Sequence, residues 1–247
     1  MINARISLHA KRNEHVRELA RGEQEGNVEW IGRALGDDPA PRILLLGGTS
    51  LVDFRVRVAQ SAVRSDLLPS FWSRAALVLP GAPAQAWHAS VEPGWALDRI
   101  PRHNAIAEAD LEDFDDPRAF PNAALLRFPG ADAAAIADAV RVLRGGRLVE
   151  DLVTPLWAWL GYVIGAKGAP NPLVEGTPLP EALFVDAAFS YASVDLVPGV
   201  SSRAACPEAI WQAALWWSGY YAAEAAGAAA VPGGSYVIGQ AAAHIVE

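Results

Sequence analysis

The chain has 247 residues, 52% of them hydrophobic, which is enough to bury a substantial core as one domain. Twenty-eight acidic against 20 basic residues give a formal net charge of −8 with no basic stripe, which excludes nucleic acid as the main partner because the phosphate backbone rewards clustered Lys and Arg. The single cysteine, Cys206, excludes an internal disulfide, and the charged opening MINARISLHAKRNEHVREL lacks the apolar core of a signal peptide, so the cytoplasm is the default expectation.

Residues Asn13 to Leu35 read as a helical arm, with Val16, Leu19, Val28, Ile31 and Leu35 among charges and a loosened pattern near Gly22 to Gly26. Asp37 to Pro41 is a turn. Arg42 to Gly48 is a short apolar run ending in paired glycines, the signature of a buried strand. It is not a phosphate loop, since a Walker A pattern needs a Lys after its last glycine. Thr49 and Ser50 are placed to cap the next helix, which carries Leu51, Phe54, Val56 and Val63 with Arg55, Arg57 and Arg64.

Ala75 to Leu79 is an apolar strand. Gln85 to Ile100 follows as a second strand or hairpin arm turning at Pro93–Gly94. His103 to Pro121 is acidic and irregular, Ala124 to Phe128 is another strand, and Ala131 to Leu143 is an amphipathic helix ended by Gly145 and Gly146. Leu148 to Ile164 is apolar and reads as a helix entered after Pro155, Gly165 to Pro180 is loop, and Leu183 to Tyr191 is helical. Val194 to Val200 leads to the cysteine helix, and Ser235 to Ile238 is a final strand.

In SSRAACPEAIWQAALWWSGY (201–220), Pro207 suits a first helical position, Glu208 adds a first-turn carboxylate, and Ile210, Trp211, Ala214, Leu215 and Trp217 recur at helical spacing. Cys206 is therefore the N-cap. A thiol there feels the helix dipole, which favours the nucleophilic thiolate; the alternative is a small buried cysteine.

The order ILLLGGTSL, DFRVRVAQS, WSRAALV, AWHASVEPG, ALLRF and CPEAIWQAALWW resembles the circularly permuted NlpC-type branch of the papain-like cysteine hydrolases, which includes relatives of lecithin:retinol acyltransferase. The resemblance spans roughly Arg42 to Ser218. It implies an α+β fold with a small, mostly antiparallel sheet flanked by helices, residues 1–40 as a helical arm and 131–200 as a helical insertion. It assigns Cys206 as nucleophile and His88 as the polar third residue, and it puts Arg74 in the slot of the catalytic histidine. A guanidinium cannot act as a base, so Arg74 is left with electrostatic work on a thiolate or an oxyanion.

Two functions follow from this. One is a degenerate enzyme kept as a binding or scaffold subunit for a protein partner. The other is a thiol hydrolase or acyltransferase on a peptide, amide or lipid ester, using a Cys206–His88 dyad assisted by Arg74. If the three groups converge, Arg74→His is expected to raise hydrolysis.

Glu108 to Asp116 lacks the ligand alternation of a calcium loop, and His9, His15, His103 and His244 show no zinc spacing, so no metal or cofactor is expected. Ser201 and Ser202 belong to the turn before the cysteine helix. Trp157, Trp159, Trp211, Trp216 and Trp217 cannot all share one helix face, which suggests either a thick core or a contact surface for a partner or a second copy. The apolar stretch around Ala213 to Ala230, broken by Glu224, falls short of a membrane span.

Overall fold

A computed structural model describes residues 13, 15–81, 84–91, 103–145, 151–221 and 231–239. Its centre is the apolar run of the sequence. Arg42–Gly47 forms strand β2, buried along its whole length, because Ile43 and Leu45 project to one side of the sheet while Leu44 and Leu46 project to the other. A strand covered on both faces cannot alternate with polar residues, which is why it reads as an unbroken apolar run.

Around it the remaining strands are β1 (Val16–Glu18), β3 (Arg74–Leu79), β4 (Gln85–His88), β5 (Ala107–Ala109), β6 (Asn122–Arg127) and β7 (Gly233–Val237). Among the described residues they form one seven-stranded sheet in the order β1-β7-β6-β2-β3-β4-β5. Every pairing is antiparallel except β1 with β7. The fold is α+β, a mixed sheet flanked by helices.

The two faces are covered unequally. On one, helix α1 (Asn27–Leu35) lays Trp30 and Ile31 against Leu44, Leu46, Ala76 and Val78, joined by Phe114 and Phe120. The other face carries a larger core contributed by α2 (Leu51–Ala59), α3 (Ala133–Gly145), α4 (Val153–Val163), α5 (Pro180–Tyr191) and α6 (Pro207–Tyr221). Helix α5 is fastened to the sheet where Glu181 Oε2 accepts from the Ala75 amide at 2.8 Å. The segment read as an insertion thus supplies much of this face.

Several expectations need correction. The arm is not one helix: Val16–Glu18 joins the sheet beside β7, and helix begins only at Asn27. Asn13 prepares that strand, its Oδ1 accepting from the His15 and Val16 amides at 2.9 Å. The acidic segment 103–121 is not wholly irregular, since Ala107–Ala109 pairs with β4 as the outermost strand. The sheet is larger than the small one expected. The proposed turn at Pro93–Gly94 lies outside the described residues, as do His9, His244 and the 222–230 part of the apolar stretch. Among the described residues no helix is long and apolar enough to cross a membrane.

Candidate functional site

The sequence places Cys206 at the mouth of a helix, and the structure has it there. A short 3-10 turn, Ser202–Ala204, leads in, and the Cys206 carbonyl accepts from the Ala209 amide at 3.0 Å and the Ile210 amide at 3.3 Å. The surroundings of the thiol differ from those of a nucleophile. Cys206 is 0% exposed and belongs to the larger core, with Trp72, Trp211 and Ile210. Burial pushes its pKa up to about 12; the Ala209 and Glu208 amides pull the other way, but the Glu208 carboxylate adds to the rise. Desolvation of a charge outweighs the partial charges of a helix end here. At neutral pH the sulfur is a thiol.

Glu208 explains much of this burial. Its carboxylate accepts from Ser70 Oγ at 2.6 Å, Arg64 Nη1 at 3.0 Å and Gln212 Nε2 at 2.8 Å. Its backbone amide donates to Gln60 Oε1 at 2.9 Å. A residue that reads as a helix-dipole carboxylate is therefore the peg that fixes the opening turn of α6 against the segment between α2 and β3. A buried carboxylate held by a guanidinium and a hydroxyl is tolerable because its lone pairs are filled.

Arg74 stands at the start of β3, opposite Leu46 on β2. Strand alternation puts it on the face of Ala76 and Val78, and its guanidinium lies 5.0 Å from the centre of the Phe120 ring. Its Nε donates to Asp53 Oδ1 at 3.0 Å and its Nη2 to Oδ2 at 3.4 Å. Asp53 also accepts from Ser73 Oγ at 2.8 Å and Ser50 Oγ at 2.6 Å. Burial works against ionising Asp53, yet Arg74 and these donors together leave its pKa below the usual carboxylate value.

His88, half-buried on β4, shares the face of Ala86 and meets the Phe114 ring edge-on with centroids 6.1 Å apart. The structure therefore brings Arg74 and His88 to one face on neighbouring strands. It does not bring Cys206 to them, because Cys206 belongs to the core on the opposite face. The convergence expected from the resemblance is not present in this arrangement.

The partnerships of the polar groups that hold the region together, Asp53, Ser70 and Arg64, are not evident in the sequence. One signal was available for Asp53: Ser50-x-x-Asp53 has the spacing of a reciprocal helix cap, and the Ser50 side chain does accept from the Asp53 amide. Ser70 and Glu208 are 138 positions apart, beyond any local pattern. Among the described residues no group of three His, Cys, Asp or Glu side chains is placed to hold a metal ion. Comparison with protein-family models, with curated proteins and with solved structures finds no match to this chain.

Proposed function

We propose that this chain is a degenerate relative of the permuted papain-like cysteine hydrolases that serves as a binding or scaffold subunit. The observation that carries this reading is the state of Cys206: fully buried, with a pKa of about 12, and across the sheet from Arg74 and His88. Covalent catalysis needs an accessible thiolate with a base in hydrogen-bond reach. Arg74, a permanent cation, is occupied by Asp53.

Aromatic side chains at the surface support a protein partner. Trp216 and Tyr220 on α6 are 56% and 61% exposed, and their rings stack 5.0 Å apart at an interplanar angle of 12°. Trp157 on α4 is also exposed. Large exposed aromatics are more typical of interfaces than of inert surface.

The test is the rate at which a thiol-reactive probe labels Cys206 across pH. The expected outcome is negligible labelling of the folded protein at pH values near and below the ordinary thiol pKa of about 8.5, and rapid labelling once denaturant exposes the sulfur. Fast labelling of native protein at neutral pH, or a burst of acyl-enzyme with an activated ester, would overturn the reading. On the same geometry Arg74→His is expected to create no hydrolysis, because the new imidazole would lie across the sheet from the sulfur.

A further inference from the structure

A cleft of about 370 Å³ opens between the end of α3 and the β3–β4 strands, and Cys206 is not among the residues that line it. Its volume lies toward the lower end of the ~300–1,000 Å³ range of small-molecule sites. Leu79, Ala137 and Val140 give it an apolar wall. Trp87 and Arg144 line it as well, the guanidinium lying over the indole with its carbon 5.4 Å from the ring centroid.

Two donors in this cleft lack acceptors. Trp87 Nε1 and Arg144 Nε are both shielded from water, and neither makes a hydrogen bond. A buried donor without a partner costs at least as much as a hydrogen bond contributes, so such a pair calls for an explanation. Charge is also uncompensated there among the described residues. Arg141, also on the lining, is matched by Asp138 at 2.7 Å, whereas among the described residues no carboxylate pairs with Arg144. A cation in the last turn of α3 suits the carbonyl end of the helix. That accounts for where Arg144 sits, but it leaves both donors unfilled.

We propose that this cleft binds a small monocarboxylate with a short apolar tail. Arg144 turns off the indole face about its own side-chain torsions and grips the carboxylate, the movement uncovers Trp87 Nε1 as a second donor, and the tail lies along Leu79, Ala137 and Val140. One negative charge fits better than two, because among the described residues a single arginine on the lining is unmatched and the nearby helix carbonyls repel further negative charge. The aliphatic wall distinguishes such a ligand from an inorganic anion. This site is independent of the proposed scaffold role.

Hexanoate titrated calorimetrically into the full chain tests it, with 1-hexanol and inorganic phosphate as comparators. Saturable hexanoate binding is expected, with hexanol and phosphate each weaker by about tenfold or more, the effect of losing one charge-assisted hydrogen bond or the tail contacts. Arg144→Gln and Trp87→Phe should each weaken hexanoate by about tenfold in protein whose thermal midpoint is unchanged, and Arg141→Gln by much less. No saturable binding at millimolar hexanoate, equal binding of hexanol or phosphate, or an Arg144→Gln variant with undiminished affinity would overturn the proposal. Cys206 labelling is read separately, so failure here leaves the scaffold reading standing, and the reverse.

Discussion

Asp53 is where Ser50, Ser73 and Arg74 converge, with its side chain 3% exposed. Removing one member of a buried ion pair strands the other, so Asp53→Asn is expected to cost about 3 kcal/mol in denaturant unfolding. The pH dependence follows from the direction of its shift. Its folded pKa is depressed, so the unfolded chain binds the proton more tightly, and the stabilisation is complete above the unfolded value of about 4 and lost as pH falls through the folded value below it. An acid titration of stability should therefore be flatter below pH ~4 in Asp53→Asn than in the parent. The parent and variant giving superimposable acid limbs would show that the pair contributes nothing. At Arg74 the residue type is informative, since a guanidinium cannot be a base, but the carboxylate that binds it sits in the first turn of a different element. Cys206 was legible as a cap. Its burial was not, because that depends on Glu208 being tied to residues far away in the chain.

The paired glycines, Gly47 closing β2 and Gly48 just beyond it, mark a strand end in the sequence, and the structure gives the reason for both. A side chain at Gly48 would put a Cβ 2.1 Å from Asp53 Oδ2, and one at Gly47 would meet the Phe71 carbonyl at 1.9 Å. The loop must pass close so that the amide of Gly48 can donate to Ser73 Oγ at 3.0 Å and Ser50 can cap α2. Gly48→Ala is expected to destabilise by about 2 kcal/mol by displacing Asp53, with the loss largely absent when combined with Asp53→Ala, which removes the clashing carboxylate, as a double-mutant cycle would measure. Additive losses would place the strain elsewhere. Helices α2, α3, α5 and α6 and strands β2, β3, β6 and β7 were legible because each has a continuous periodic or apolar pattern with cap or turn residues at its ends. β1 and β5 were not, because each is only three residues long and is extended through its pairing with a neighbour and not through a pattern of its own.

Across the molecule, β2 is the fourth of seven strands, covered by α1 on one side and the α2–α6 layer on the other. Its amides should exchange with solvent only through global unfolding, whereas those of β1 and β5, at the two edges, should exchange orders of magnitude faster by local opening. Comparable exchange in β2 and β5 would mean that the sheet does not open from its margins. The parallel pairing of β1 with β7 sets an order on assembly during synthesis. β7 fills the slot between β1 and β6, so while the ribosome is still making it, the early strand has no neighbour among the described strands and β6 presents a bare flank. The nascent protein must carry that open seam, with its risk of joining a second nascent chain, until Gly233–Val237 emerges and closes it.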